Sequence, residues 1–268
     1  MVTAPLPGAD DDTPRRARPS HVSDLLRLIT RDPGRPRLTW YGDDGERIEL
    51  SGAVLENWVN KTTNLLVEEF DTQPGSRVVL DLPVHWRTVV WALAAWRVGA
   101  TVVLVSADDG TDDSGTARPD VVVTARPGRW SGTRAELVAV ALPALARRFD
   151  GDLPAGAIDA ASAVMTYGDQ VGWAPEPDRG APAMASPAAP VVLHADLVSG
   201  PHGPTAYAPG ARVLVQGSAS LADTLRSVLA VLGDDGSVVL LSPGRTRALT
   251  GDDRAMERLV ATERVTVH

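Results

Sequence analysis

The chain has 268 residues, of which 44% are hydrophobic, and a formal net charge of −8, as expected for a globular protein of one large or two small domains. Its acidic balance argues against a nucleic-acid partner, since neutralising phosphates requires a basic surface. The absence of cysteine excludes disulfides, thiolate metal sites and a cysteine nucleophile, and no apolar run reaches membrane-span length, so we expect a cytoplasmic protein without a membrane partner.

The first fifty residues predict a tail, a helix and a hairpin. Residues 1–20 are rich in Pro, Asp and Arg without periodicity, which is typical of a disordered tail. Apolar residues at helical spacing predict a helix over 21–30, with Ser20 as its cap. Two short strand patterns around a Gly-Asp-Asp-Gly turn predict a hairpin over 33–50.

The next segment predicts a parallel sheet. An amphipathic helix over 51–70, capped by its first serine, precedes an almost continuous apolar run at 77–82. A largely apolar helix over 85–98 then leads to further short apolar runs at 101–105 and 121–124. This alternation predicts an α/β fold in which a mostly parallel sheet is flanked by helices.

The second half is less regular at first. Residues 150–190 contain many Ala, Gly and Pro and predict long loops, with one helix near 157–164. A further short strand is predicted at 136–140, before this segment. After it, regular patterns return as predicted strands at 191–193, 212–216, 237–241 and 264–267 and predicted helices at 220–232 and 252–262. We therefore divide the chain into a tail (1–20), a first α/β unit (21–150), a loop-rich connector (151–190) and a second α/β unit packed on the first (191–268).

Several motifs occur in a recognisable order. They are Leu38-Thr39-Trp40, a helix with Asn60 and Asn64, the turn Pro74-Gly75-Ser76-Arg77-Val78, Leu82-Pro83, and Ala94-Ala95-Trp96-Arg97-Val98-Gly99-Ala100. In this order and spacing they resemble the N-terminal part of the adenylate-forming superfamily, which includes acyl-CoA synthetases, peptide-synthetase adenylation domains and luciferases. The family has aspartate where Ser76 stands and lysine where Arg97 stands. The segments 211–214, 236–240 and 263–266 resemble the family region after its phosphate loop.

The resemblance implies chemistry for which this chain lacks residues. The family activates a carboxylate with ATP, using a Gly/Ser/Thr-rich phosphate loop, cations and Mg²⁺. The loop is expected before the strand at 212–216, where Ser199, Gly200 and Gly203 are the candidate phosphate-binding residues, flanked by prolines that have no N–H. The only lysine of the chain, Lys61, is expected to be a solvated surface residue. The family's other catalytic lysine and its ribose and Mg²⁺ ligands are expected beyond His268.

Three hypotheses follow, and no catalytic residue or metal ligand is assigned. The first is a non-catalytic relative, without a cofactor, that binds a small ligand or a protein partner. The second is an acyl- or aryl-adenylating half that uses ATP or AMP and Mg²⁺ and needs a complementary chain. The third is a hydrolase that uses Ser199 with His194 or His202. The missing lysines favour the first.

Other patterns have simpler interpretations. Trp86, Trp91 and Trp96 are spaced around one helix and indicate core packing. The acidic residues Asp108, Asp109, Asp112 and Asp113 lack calcium-loop spacing and indicate a solvated loop. The segment 164–173 has large apolar residues without periodicity. We expect it to cover the strand ends and partly fill a ligand pocket, while a partner or self-association covers any remaining apolar face.

Overall fold

The computed structural model describes residues 18–105, 118–187, 189–200, 207–217 and 220–268. Most of the predicted tail and all four aspartates of the predicted acidic loop lie outside these ranges. So do His202 and Gly203.

Seven α-helices are found within the described ranges. In chain order they are α1 (Val22–Ile29), α2 (Gly52–Phe70), α3 (Trp86–Arg97), α4 (Ala160–Ala163), α5 (Leu221–Gly233), α6 (Pro243–Leu249) and α7 (Asp253–Thr262). Short 3-10 turns occur at Pro127–Trp130 and Val164–Thr166. Ser51 accepts from the Val54 N–H as the predicted cap of α2, and Gly99 closes the end of α3 with φ +80°, a conformation that favours glycine.

Eleven strands accompany these helices in the same part of the chain. They are β1 (Pro36–Tyr41), β2 (Arg47–Ser51), β3 (Arg77–Asp81), β4 (Thr101–Leu104), β5 (Val121–Thr124), β6 (Glu136–Ala139), β7 (Ile158–Asp159), β8 (Pro182–Ser186), β9 (Ala189–Leu193), β10 (Arg212–Gln216) and β11 (Ser237–Leu241). They form two separate sheets.

The larger sheet has seven strands in the order β7-β6-β5-β3-β4-β8-β9. All its neighbouring pairs are parallel except β8 with β9. The three apolar runs predicted as its core are β3, β4 and β5, so the predicted α/β fold with a mostly parallel sheet is confirmed. The chain continues from β3 to β4 on one side and returns to β5 on the other, an arrangement that places ligand crevices at the carboxyl ends of strands.

The smaller sheet has the order β10-β11-β1-β2 and joins the two ends of the chain. Strands β1 and β11 are parallel, while β1 and β2 form the predicted antiparallel hairpin. The division into units at 150 and 190 stays a prediction. The smaller sheet crosses this division, because β1 pairs with β11 from the C-terminal segment. One hydrophobic core contains residues of both sheets and of α1, α2, α3 and α5.

Several predicted elements differ from those observed. The predicted strand at 264–267 is only an isolated parallel bridge between Val213 and Val267. His21, rather than Ser20, caps α1, because the Ser20 hydroxyl donates to Asp24 and the His21 Nδ1 accepts from the Ser23 N–H. The sequence did not predict β8, β7 or α6. Ala, Met and Ser have no strong strand pattern in β8, whose pairing with β4 and β9 defines it.

A buried glutamate stabilises the outer face of the smaller sheet. Glu263 follows α7, is 5% exposed, and accepts hydrogen bonds from the Tyr41 hydroxyl (2.5 Å), Arg47 Nε (2.8 Å) and Arg212 Nη2 (2.5 Å). Burial alone would raise its pKa, but these hydrogen bonds lower it to about 2. The carboxylate therefore links β1, β2 and β10 to the end of α7.

We predict that Glu263→Gln lowers the free energy of unfolding by about 3 kcal/mol at pH 7, since an amide leaves two arginines without their anionic partner. A carboxylate with a depressed pKa stabilises the fold above its unfolded pKa. The difference between wild type and variant should therefore shrink as the pH falls from about 4.5 toward 2. Urea unfolding at pH 7 and pH 3 measures both effects. The exposed Glu257 provides the control E257Q, and equal losses in the two variants would contradict this role.

Candidate functional site

A narrow cleft opens at the carboxyl edge of the larger sheet, between α2, α3 and the segment that follows β7. Its walls are Trp58 and Thr62 of α2, Trp86, Arg87, Val90 and Trp91 of α3, Val140 and Ala141 after β6, and Ala160, Ala161 and Val164. Its volume is about 10 Å³, room for about one water molecule. The cleft lies here because β6 ends at Ala139, and α3 begins five residues after β3 ends.

Arg87 is the charged residue of this cleft. Its side chain is buried, with the residue 7% exposed, and its guanidinium lies 4.3 Å from the Trp86 ring centroid and 5.3 Å from that of Trp58. Burial lowers its pKa to about 10, which leaves it charged at neutral pH. Aromatic faces therefore supply much of its electrostatic environment.

Hydrogen bonding leaves Arg87 incompletely satisfied. Its Nη2 has two long contacts, 3.4 Å to the Pro143 carbonyl and 3.3 Å to the Ala144 carbonyl, and its Nε has no partner. Among the described carboxylates none forms an ion pair with it. The charge of Glu46 opposes the lowering of the Arg87 pKa, and the carboxylate of Glu46 accepts from the Ala144 N–H at 2.9 Å. The Trp86 Nε1 is also buried without a partner.

His85 fixes the beginning of α3. Its Nδ1 accepts from the Arg87 N–H at 3.1 Å, and its ring meets Trp40 edge-on with centroids 4.9 Å apart. Burial, and secondarily the charge of Arg87, lowers the pKa of His85 to about 3. The imidazole is therefore neutral at physiological pH, as an acceptor at Nδ1 must be.

A second polar cluster, at the ends of β3 and β5, is saturated by its own contacts. Buried Asp81 accepts from Thr124 Oγ1 (2.7 Å), Arg126 Nη2 (2.6 Å) and Trp130 Nε1 (2.9 Å). This carboxylate holds the two strand ends together. Across the described residues, no three His, Asp or Glu side chains are grouped to hold a metal ion.

The predicted phosphate-loop residues lie in a compact turn after β9. Ser199 is exposed and its hydroxyl donates to the Ala195 carbonyl (2.9 Å), while the Gly200 N–H donates to the Asp196 carbonyl (2.9 Å). A Cβ on Gly200 would lie 2.3 Å from that Asp196 oxygen, so the close turn requires glycine. Phosphate binding by Ser199 and Gly200 stays a prediction, and Gly203 lies outside the described residues.

The same turn contains Ser199 and His194, two residues of the predicted hydrolase site. His194 is buried, and burial lowers its pKa although hydrogen bonds to the backbone of Gly99 and Ala100 oppose the shift. The Ser199 hydroxyl donates to a backbone carbonyl rather than to this imidazole. The geometry therefore gives Ser199 no activating base within the described turn.

Lys61 is not the solvated lysine that the helical pattern predicted. Its Nζ donates to the Tyr167 carbonyl (2.7 Å) and pairs with the Asp169 carboxylate (2.6 Å), and its side chain is only 13% exposed. The prediction of a solvated lysine was wrong because the segment around 167–170 packs against the polar face of α2 and covers Lys61.

Asn60 and Asn64 hold the same segment. Asn60 Nδ2 donates to the Asp169 carbonyl and Asn64 Nδ2 to those of Gly168 and Gln170, all at 2.8–3.0 Å. Arg97 in turn donates to Asn60 Oδ1. The asparagines and the arginine of the family-like motifs thus anchor a loop.

The segment 164–173 covers the strand ends only at its beginning. Val164 is buried and lines the cleft, whereas Met165 and Trp173 are 58% and 68% exposed. The predicted covering role therefore applies to Val164, while residues 167–170 are held along α2.

Sequence reasoning missed Arg87 and the indole N–H of Trp86 as site residues. The three tryptophans of α3 are buried as predicted, and Trp96 Nε1 donates to the Ala183 carbonyl at 2.8 Å. The available signal was Arg87 itself, since it and Arg97 are the only charges on an otherwise apolar helical pattern.

Comparison with known proteins identifies the family to which the chain belongs. No protein-family model matches it. It is 36% identical over 243 residues to a TIGR03089 family protein of Mycobacterium tuberculosis (strain ATCC 25618 / H37Rv), covering 89% of this chain and 93% of that protein. The chain belongs to the TIGR03089 family.

Two solved structures share its fold. An acyl-CoA synthetase of Brucella canis superposes with a TM-score of 0.67 at 20% identity, covering 88% of this chain. The N-terminal subdomain of NpsA from Klebsiella oxytoca gives 0.63 at 15% identity, covering 92%. The chain spans 45% and 59% of those two chains. The predicted likeness of fold to adenylate-forming enzymes is confirmed. No described helix has the length and apolar character needed to cross a bilayer.

We predict that His85 makes the fold sensitive to mild acid. The pKa of His85 is about 3 in the folded protein and about 6.5 in an unfolded chain, so the unfolded chain binds the proton first. Stability from His85 is present above about pH 6.5 and is lost toward pH 3, by about 1.4 kcal/mol per pH unit.

Asparagine can replace the cap without titrating. Urea unfolding should therefore show a loss between pH 7.5 and 5 that is about 2 kcal/mol smaller in His85→Asn than in wild type. The control H268N, at an exposed histidine, should retain the wild-type loss, and an unchanged slope in H85N would refute the assignment.

We also predict that Lys61→Ala and Asn64→Ala release the loop at 167–170, because each removes donors to its carbonyl oxygens. Chymotrypsin should cleave after Tyr167 roughly ten times faster in either variant, since proteolysis follows the open population. Glu68→Ala, an exposed change on the same helix, is the matched control. Equal cleavage rates in all three proteins would show that these side chains do not hold the loop.

Proposed function

We propose that the chain is a non-catalytic member of the adenylate-forming fold group that binds a small ligand or a protein partner in the cytoplasm, without a cofactor. The observation that carries this proposal is the engagement of Lys61. It is the chain's only lysine, and its Nζ is held by the Tyr167 carbonyl and the Asp169 carboxylate. It is thus occupied in structure rather than free to offset charge on a transferring phosphate.

The turn at 194–200 supports the same proposal. Phosphate-binding loops present several free backbone N–H groups to the anion. Here the N–H groups of His194, Ala195, Asp196 and Gly200 donate to carbonyls of the chain itself. The described part of the segment is therefore folded as a turn that satisfies its own donors.

The composition of the cleft supports binding rather than chemistry. Its walls contain a buried cation and an indole donor but no carboxylate or imidazole. The one hydroxyl, Thr62 Oγ1, donates to the Trp58 carbonyl at 2.8 Å. Such a set can hold a negative charge but offers no general base.

A protein partner has its own structural support. Strand β9 is the outer strand of the larger sheet, and its Val191 and Leu193 are 55% and 37% exposed. Edge strands with exposed apolar side chains pair readily with another chain. A partner or a second copy would cover this edge.

The alternative is an adenylating half that uses ATP and Mg²⁺ together with a complementary chain. It is favoured by the partial coverage of the solved relatives and by the NpsA N-terminal subdomain, whose structure holds 3-hydroxybenzoyl-AMSN. In that relative, the N-terminal subdomain holds the ligand.

We predict no ATP–pyrophosphate exchange above a protein-free control with acetate, propionate, benzoate or a long-chain fatty acid. The physical reason is that Lys61 and the turn N–H groups are already engaged. Exchange by the chain alone that Ser199→Ala weakens would refute the non-catalytic proposal. Exchange that appears only when a second chain is added would establish the alternative. A thermal-shift series with ATP, AMP and CoA measures ligand binding separately from turnover.

A further inference from the structure

Two of the seven α-helices in the described ranges begin at a histidine, and these two helices pack against each other. His21 Nδ1 accepts from the Ser23 N–H at the start of α1, and His85 Nδ1 accepts from the Arg87 N–H at the start of α3, both at 3.1 Å. The other five helices begin at serine or aspartate, which remain acceptors at pH 5. An imidazole caps a helix only while its Nδ1 carries no proton, because the protonated ring donates from both nitrogens.

The surroundings of His21 oppose its protonation. Because Nδ1 is the acceptor, the neutral ring carries its hydrogen at Nε2, which is buried without a partner. Burial, followed by the charge of His194, lowers the pKa of His21, and the charge of Arg97 on α3 lowers it further. The ring is therefore neutral at physiological pH, as the cap requires.

His194 is the second titratable ring of this junction. It is 3% exposed, its backbone N–H donates to the Ala181 carbonyl (3.0 Å), and hydrogen bonds with the backbone of Gly99 and Ala100 hold it directly after α3. Its Nε2 is also buried without a partner, and burial lowers its pKa. A proton on either ring therefore adds a positive charge to a poorly hydrated junction that already contains an arginine.

Three acids face these two histidines, namely Asp24, Glu176 and Asp178. They offset only part of the positive potential, since the pKa of each histidine remains below its usual value. Asp24 is paired with Arg27, and the other two acids are exposed, so that water and salt screen their charges. Across the described ranges, neither histidine forms an ion pair with a carboxylate.

We propose that His21, together with His194 and Arg97, is an acid-sensitive latch that holds helix α1 on the fold. Below about pH 6, a proton on His21 removes the cap of α1 and adds a charge of the same sign as Arg97. The population of molecules with α1 detached then rises while the larger sheet stays folded. Detachment exposes four apolar side chains that are buried in the core, Val22, Leu25, Leu26 and Ile29. The latch is independent of whether the chain binds a ligand or adenylates a substrate.

Hydrogen exchange of the α1 amides tests the latch. After correction for the intrinsic effect of pH, protection over 22–29 should fall about tenfold more than protection over 121–124 between pH 7.5 and 5.5. His21→Asn keeps a cap that does not titrate and should lose this extra fall. His268→Asn changes an exposed histidine and should behave as wild type does. His85→Asn should retain the extra fall, because it changes the cap of α3 and leaves that of α1.

Imidazole NMR titration supplies a second readout, one that a purely structural role of His21 would not change. The chain has five histidines, so single substitutions assign each resonance. The pKa of His21 should lie below its ordinary value of about 6.5, and His194→Gln should raise it by removing the neighbouring charge.

Four results would overturn the proposal. They are equal losses of protection over 22–29 and 121–124, an extra fall that persists in H21N, an extra fall that H85N removes as well, and a pKa of His21 at or above about 6.5. If H21N folds poorly, His21→Ser replaces it, since serine already caps α2, α5 and α6.

Discussion

Helix α3 is buried along almost its whole length, from Trp86 to Trp96, between β3, β4 and the smaller sheet. A helix in that position can carry few charges, since each must leave water. It carries two, Arg87 and Arg97, one near each end. Three features of the fold contact these two guanidinium groups or their residues. They are the loop held on α2, the cap of α3 and the cleft.

The two arginines have different environments. Arg97 donates to Asn60, which also holds the carbonyl of Asp169, so its charge becomes part of the loop anchor. Arg87 has aromatic faces and long carbonyl contacts instead. Glu263 shows the complementary arrangement, in which one buried carboxylate receives two arginines and a tyrosine. The fully paired carboxylate of Glu263 holds strands together, whereas the incompletely paired guanidinium of Arg87 lies at the candidate site.

The motifs that resemble adenylate-forming enzymes serve structural contacts in this chain. Asn60 and Asn64 bind loop carbonyls, and Arg97 binds Asn60. Gly99 supplies a left-handed residue between α3 and β4. These contacts depend on the fold and not on nucleotide chemistry. A relative can therefore keep the motifs while its lysine and its turn after β9 make internal contacts.

The sequence by itself determined the parallel core, because the apolar runs that became β3, β4 and β5 are buried on both faces and so contain almost no polar residue. It also determined α2 and α5, whose caps and periodicity are local, and α3, whose largely apolar run ends at a glycine. Only the tertiary structure decided that β1 and β2 join β11, that Lys61 is covered by residues 167–170, and that Arg87 and Trp86 meet at a cleft. Each of these depends on contacts between segments far apart in the chain, which no local pattern of residues encodes.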